Sequence, residues 1–281
     1  MKVLFNSEIL EKSEVTIDME DRGYQFGDGV YEVVNVYNGI AFTLVEHVDR
    51  LYRSAEEIRL NIPIEREEVK QLIVRLINEN SVKNGSIYLQ ITRGVAPRKH
   101  QYDSKIKPLL IAYPLPFSDV SDVQQQGVKA ITAEDLRWLR CDIKSLNLLY
   151  NIMIKQEAHE QGAYEAILLR DGQVTEGSSS NIFIVKDDTI YTHPANNYIL
   201  NGITRIKLLQ LFHQKEWKIK EQPVSKQFLL NADEVFLTST TNEVVPITMI
   251  DEVKINDGKP GSFTRKIQQA FTELVKEEIR G

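Results

Sequence analysis

The chain has 281 residues, 42% hydrophobic and 26% charged, with 34 basic against 40 acidic side chains and a net charge of −6. That length is long for one domain and comfortable for two, the composition is that of a soluble globular protein, and the lack of a basic block argues against nucleic acid as a partner. The single cysteine, Cys141, excludes an intrachain disulfide and fits a cytoplasmic location, the N-terminus is too poor in apolar residues for a signal peptide, and no apolar run is long enough to span a membrane.

Residues 2–6 and 14–17 read as short strands. Asp21-Arg22-Gly23-Tyr24-Gln25-Phe26-Gly27-Asp28-Gly29 then places three glycines in seven residues, which calls for unusual backbone angles or close approach by another group. It is not a dinucleotide fingerprint, because a β-branched and aromatic run, 30–37, follows instead of a helix pattern. Asn38-Gly39 closes that run into a hairpin with 40–44. Val48, Leu51, Tyr52, Ala55 and Ile58, and then Val69, Leu72, Ile73, Leu76 and Ile77, recur at helical spacing and predict two helices with core-facing stripes. Strands at 86–93 and 109–113 flank the loop Gly94-Val95-Ala96-Pro97-Arg98-Lys99-His100-Gln101. Pro114-Leu115-Pro116-Phe117-Ser118-Asp119 is the best domain boundary.

The second half predicts a strand at 128–132, a helix at 148–161 with Asn147 as a candidate cap, and a buried strand at 166–169 turned back by Asp171-Gly172. A hairpin at 181–185 and 189–192, a helix at 202–213, strands at 234–237 and 244–250, and a helix at 263–279 complete it. Strands dominate the centre and helices the outside, which is a two-domain α/β or α+β pattern.

Lys144 lies in Leu139-Arg140-Cys141-Asp142-Ile143-Lys144-Ser145, a turn-like junction between strand and helix. Most lysines there are solvated, but one in an apolar pocket loses its proton more easily, and a neutral amine forms a Schiff base. Glu176 ends a strand before Gly177-Ser178-Ser179-Ser180, as a buried acceptor or as part of a polar loop. Leu200-Asn201-Gly202-Ile203-Thr204-Arg205 opens a helix whose free amides suit a phosphate, or are simply capped by Asn201. Thr238-Ser239-Thr240-Thr241 offers hydroxyls to phosphate oxygens or to a turn, and Arg50 is a candidate balancing charge. Arg98 and His100, two apart, point the same way on extended backbone and form a candidate carboxylate clamp; a mobile basic loop is the alternative. Tyr31 is a phenolic donor or a packing residue. Cys141 has no evident histidine partner and reads as packing; the histidines are scattered, and no metal spacing is visible.

Lysine after Arg-Cys-Asp-Ile, glutamate before Gly-Ser-Ser-Ser, and Arg98-x-His100 together resemble the fold-type-IV pyridoxal-phosphate enzymes, more narrowly the D-amino-acid aminotransferases of bacillus type. The likeness runs along nearly the whole chain and is densest at 21–32, 92–101, 135–149, 174–181, 193–205 and 238–245. The Arg98–His100 pair points to the D-specific branch; branched-chain aminotransferases and aminodeoxychorismate lyases share the fold but are not expected to carry it. The resemblance implies a small N-terminal α/β domain, 1–116, and a larger C-terminal domain, 117–281, built on a β-barrel-like sheet and carrying the cofactor lysine. It implies ping-pong transfer of an amino group from a D-amino acid such as D-alanine to 2-oxoglutarate, giving a 2-oxo acid and D-glutamate, with pyridoxal 5′-phosphate as cofactor. Lys144 would hold the cofactor covalently and move the substrate proton, and Glu176 would pair with the protonated ring nitrogen. Arg50, Ile203, Thr204, Ser239 and Thr240 would hold the phosphate, Leu200 would pack on the ring, and Ser178, Ser179 and Ser180 would bracket it. Tyr31, Arg98 and His100 would bind the substrate carboxylate, the last two delivered by the other subunit of a homodimer.

Overall fold

The structure, a computed structural model, describes residues 1–280. The chain divides into two compact units, Met1–Ser118 with Ile143–Asn147, and Asp119–Asp142 with Leu148–Gly281. This differs from the expected 1–116 and 117–281: the division follows Ser118, and Ile143–Asn147, with Lys144, joins the first unit. The cause is backbone pairing. Val30 and Ser145 form an antiparallel bridge, Tyr31 N donates to Lys144 O at 3.0 Å, and Leu146 N donates to Gly29 O at 3.0 Å.

In the first unit, β1 (Lys2–Phe5), β2 (Glu8–Glu11), α1 (Arg22–Phe26), β3 (Gly29–Tyr37), β4 (Ile40–Ala41), α2 (Leu44–Glu57), α3 (Arg66–Glu79), β5 (Gly85–Thr92) and β6 (Leu109–Leu115) follow in order. The strands make a six-stranded sheet in the order β2-β1-β6-β5-β3-β4, antiparallel at every pairing. Both apolar helical stripes were legible in the sequence: Val48, Leu51 and Ala55 of α2 and Val69, Ile73 and Leu76 of α3 pack with Leu4, Ile87, Leu89 and Ile91 of the sheet. Residues 14–17 are not the strand that was expected. β1 pairs with β2 through a tight turn at Asn6 (φ 55°), which lets Ile9 pack on the core and leaves Ile17 exposed. The glycine-rich stretch is ordered by a cap: Asp21 Oδ1 accepts from Gly23 N at 2.8 Å and starts α1, and Gly27, at φ 66°, ends it.

The second unit runs α4 (Ser121–Gln126), β7 (Val128–Glu134), α5 (Leu149–Glu160), β8 (Glu165–Arg170), β9 (Gln173–Gly177), β10 (Asn181–Lys186), β11 (Thr189–Thr192), α6 (Ile203–Gln214), β12 (Lys218–Glu221), α7 (Lys226–Leu230), β13 (Glu234–Ser239), β14 (Glu243–Ile250), β15 (Val253–Lys254) and α8 (Ser262–Glu278). Its nine-stranded mixed sheet has the order β12-β11-β10-β13-β14-β7-β8-β9, with β15 on β14; the β11–β12, β14–β7 and β7–β8 pairs are parallel. Both faces are buried, so the strands read as continuous apolar runs. Ile182, Ile184, Val235, Leu237, Val245 and Ile247 belong to one cluster. On the alternate positions Phe183 stacks on Phe236 at 5.0 Å and meets Phe212 of α6 edge-on at 6.0 Å. The sheet curls as the barrel-like reading requires: β9 meets the start of β10, where Gly177 N donates to Ser180 O at 2.6 Å. Asn147 does not cap α5. Leu148 holds the cap position, and the Asn147 side chain donates to Gly27 O at 3.0 Å.

Candidate active site

In the first unit Lys144 is half-buried, with its Nζ 4.2 Å from the centroid of the Tyr31 ring. Its backbone is fixed by the pairing with β3 and by Lys144 N, which donates to Ser54 Oγ at 3.3 Å. Gly29 makes that approach possible, since a Cβ there would lie 2.5 Å from Ile91 O and 2.8 Å from Leu146 Cδ1. Tyr31 in turn stacks on Tyr88 at 5.9 Å, and burial pushes the Tyr88 phenol up. The structure therefore brings Lys144 and Tyr31 together.

Arg50 belongs to a buried cluster that the spacing of residues does not reveal. Its Nε and Nη2 donate to Glu32 Oε1 and Oε2 at 2.6 and 2.8 Å, and His47 Nδ1 is 2.7 Å from Oε2. Burial alone would push the Glu32 carboxyl up, but Arg50 and His47 outweigh it and hold the group at about 2. Burial dominates at His47 and pushes it below the ordinary histidine range. Arg98 and His100 are exposed and meet on Phe26, with the Arg98 guanidinium carbon 4.6 Å from the ring centroid and the His100 ring edge-on at 5.8 Å. Among the described residues no hydrogen bond, ion pair or ring contact joins either to Tyr31 or Lys144 within the unit.

In the second unit Glu176 is 5% exposed and held on both oxygens. Arg137 Nη1 donates to Oε1 at 2.6 Å; Leu200 N and Asn181 Nδ2 donate to Oε2 at 3.0 and 3.1 Å. Arg137 is shared: its Nε and Nη2 donate to Asp135 at 2.8 and 2.9 Å. Asp135 also takes Thr175 Oγ1 at 2.9 Å and Arg170 at 3.1 Å. Burial pushes Glu176 up to about 7 in spite of Arg137, whereas Asp135, less deeply buried and with more donors, stays below the ordinary carboxylate range. A buried carboxylate so raised gains most from a cation placed against it.

Ser178, Ser179 and Ser180, expected around a ring, all bond Glu165. Their hydroxyls donate to its carboxylate, at 3.2 Å from Ser179 and 2.8 Å from Ser180, and Ser178 N adds a donor at 3.2 Å. Glu165 was missed by the sequence reading. Its signal was a lone acid opening the apolar strand Glu165-Ala166-Ile167-Leu168-Leu169 and fully buried there. Arg137, the cation on Glu176, was missed because its partner is 39 residues away. Leu200, whose amide bonds Glu176, leads through Gly202 into α6; a Cβ at Gly202 would lie 2.3 Å from Asn181 Oδ1. The first-turn amides of α6, those of Ile203 and Thr204, have no intrahelical acceptor. At the end of β13 the Ser239 hydroxyl accepts from Asn242 N at 3.1 Å, Thr240 follows it, and Thr238 Oγ1 is buried without a hydrogen-bond partner among the described residues. The Cys141 Sγ lies 3.2 Å from Trp138 O, and burial pushes its thiol up to about 11, which agrees with a packing role. Among the described residues no helix is long and apolar enough to cross a membrane, and no group of three or more His, Cys, Asp or Glu side chains is placed to hold a metal.

The family model for amino-transferase class IV matches residues 29–250. A D-alanine aminotransferase of Bacillus licheniformis is 55% identical over 278 residues, covering 99% of this chain and 98% of the relative. A D-alanine aminotransferase of Staphylococcus epidermidis is 47% identical over 276 residues, covering 98% of each. Among solved structures, the branched-chain amino acid aminotransferase of Escherichia coli superposes with a TM-score of 0.93 at 26% identity, covering 99% of this chain and 95% of that one. The chain belongs to the class IV aminotransferases, in their D-amino-acid aminotransferase branch.

Proposed function

We propose that this aminotransferase moves the amino group of a D-amino acid such as D-alanine to 2-oxoglutarate, with pyridoxal 5′-phosphate as its cofactor and a homodimer as its working unit. The observation that carries the reading is Glu176: a buried carboxylate, pushed up to about 7 by burial, that a cationic ring nitrogen would return to its charged form. The cofactor supplies, when bound, a reactive carbonyl carbon and an electron-withdrawing ring.

Each residue has a job in that chemistry. The Lys144 amine would hold the cofactor, and its Nζ would carry the proton at the substrate's Cα. Glu176 would pair with the protonated ring nitrogen. The amides of Ile203 and Thr204 at the head of α6, with Ser239 and Thr240, would bind the phosphate, a reading supported by the free first-turn amides. Arg50, held by Glu32, would by the family resemblance add positive charge for the phosphate. Leu200 would pack against the ring. Ser178, Ser179 and Ser180 line the site in a conformation set by Glu165. Tyr31, with Arg98 and His100 from the partner subunit, holds the substrate carboxylate, and the exposure of both loop residues supports that delivery.

The test is product formation. D-alanine with 2-oxoglutarate should give pyruvate and D-glutamate in equal amounts, and L-leucine should give neither. Turnover of L-leucine would favour a branched-chain enzyme, and pyruvate released without a second oxo acid would favour a lyase such as aminodeoxychorismate lyase.

A further inference from the structure

The segment from Asp21 to Asp28 is given no part in the chemistry above, yet it holds a densely bonded cluster. Arg22 is 4% exposed, and its Nε donates to Asp28 Oδ2 at 2.8 Å. Arg93 grips the same carboxylate from the end of β5 with Nε at 2.9 Å. Arg93 itself is fixed, its Nη1 and Nη2 donating to Arg59 O and Ile58 O at 2.9 and 2.8 Å. Two guanidiniums on one carboxylate are costly to bury unless their other donors are satisfied. The free side of the Arg22 fork is satisfied by one loop: Nη1 donates to Lys99 O at 2.6 Å and Nη2 to His100 O at 3.2 Å. Phe26, one turn further along α1, takes the side chains of that loop. The Arg98 and Arg22 guanidinium carbons lie 4.6 and 4.8 Å from its ring centroid, and His100 meets it edge-on at 5.8 Å. The backbone between Arg98 and His100 is thus fastened by Arg22, and the two side chains are aimed by Phe26.

We infer that Arg22 and Phe26 are positioning residues for carboxylate recognition, setting the reach and direction of Arg98 and His100. The inference rests on the reading of Arg98 and His100 as the carboxylate clamp. A guanidinium is required because three nitrogens in a fixed plane serve Asp28, Lys99 and His100 together; an ammonium on a flexible stem cannot hold all three. A displacement of the clamp by about 1 Å is enough to lose one to two powers of ten in binding or rate.

The experiment compares Arg22→Lys, Phe26→Leu and Arg98→Ala, each loaded with cofactor, in three measurements: steady-state kinetics with D-alanine, single turnover with ethylamine (D-alanine without its carboxylate), and the affinity for propionate (D-alanine without its amine). Arg22→Lys should raise KM for D-alanine and Kd for propionate by roughly tenfold while lowering ethylamine turnover much less. Phe26→Leu, which breaks no ion pair and keeps an apolar side chain, should move the same two quantities in the same direction by a smaller factor; it carries the test if Arg22→Lys does not fold. Equal losses with D-alanine and ethylamine, or an unchanged Kd for propionate, in both variants would overturn the inference if Arg98→Ala still discriminates between the two substrates. If Arg98→Ala itself fails to discriminate, the clamp reading falls first.

Discussion

Glu32 and Glu176 are two buried carboxylates, each facing an arginine, and they end in opposite states. Glu32 receives both arms of the Arg50 fork and His47, and its carboxyl lies at about 2. Glu176 receives a single nitrogen of Arg137, which also serves Asp135 and Tyr198 O, together with the neutral donors Leu200 N and Asn181 Nδ2, and it lies at about 7. Burial opposes ionisation at both, so the difference is one of pairing. A doubly gripped carboxylate is a fixed anion that braces α2 against β3. Glu176, though bonded on both oxygens, has one charged donor that it shares with Asp135 and two neutral ones, so it keeps a strong preference for a further cation, as the proposed pairing with a ring nitrogen would require. The lesson is that burial of an acid does not by itself mark a site; a deficit of positive charge among its partners does.

The largest effect expected lies outside both carboxylates and sets the scale for them. Lys144→Ala should abolish transamination, since anchor and proton carrier are lost together, and turnover by that variant at ordinary substrate levels would remove Lys144 from the chemistry. Next comes the asymmetry between the two acids. Glu32→Gln breaks a buried fork and should cost about 3–5 kcal/mol of stability in denaturant unfolding. Glu176→Gln leaves Arg137 paired with Asp135 and should cost no more than about 2 kcal/mol. Similar losses in both would end the distinction between a bracing and a functional carboxylate.

Stability against pH sharpens it further, because the two acids have slopes of opposite sign. Glu32 is depressed in the folded state, so its contribution is present above the unfolded value and is lost as pH falls through about 4.5 toward 2. Glu176 is raised, so the folded apoprotein holds its proton more tightly than the unfolded chain, and stability is lost as pH rises from about 4.5 through 7. Each swing should be about 3 kcal/mol, and each should vanish in its own Gln variant while surviving in the other. A slope common to both variants would place the titration elsewhere. The smallest effect is expected at Cys141: its raised thiol bonds a carbonyl, and Cys141→Ala should keep kcat within about twofold.

What the sequence disclosed follows the reach of its signals. Periodicity located α2 and α3 because their stripes are local, and β8 read as buried because its apolar run is covered on both faces. Residues 14–17 misled because β propensity says nothing of which segment a turn at Asn6 can fold back onto β1. β12 and α7 were missed; Lys218–Glu221 is a mostly polar edge strand and Lys226–Leu230 a single turn, too short for a period to show. Lys144 and Glu176 were legible as motifs, but neither the unit that holds Lys144 nor the donors on Glu176 were. Those depend on pairings such as Val30 with Ser145 and Arg137 with Glu176, formed far along the chain, and on Glu165, whose serine partners lie 13 to 15 residues away.

The most direct measurement follows the visible absorption of the cofactor-loaded protein on mixing with D-alanine, then with L-alanine, in wild type and in Glu176→Gln. The D-isomer alone should discharge the absorption, and the variant should do so more slowly with cofactor still bound, since a neutral amide cannot hold a charged ring nitrogen as a carboxylate does. Discharge by L-alanine at a comparable rate, or an unchanged rate in Glu176→Gln, would contradict the assignment of D-amino-acid transamination to this site.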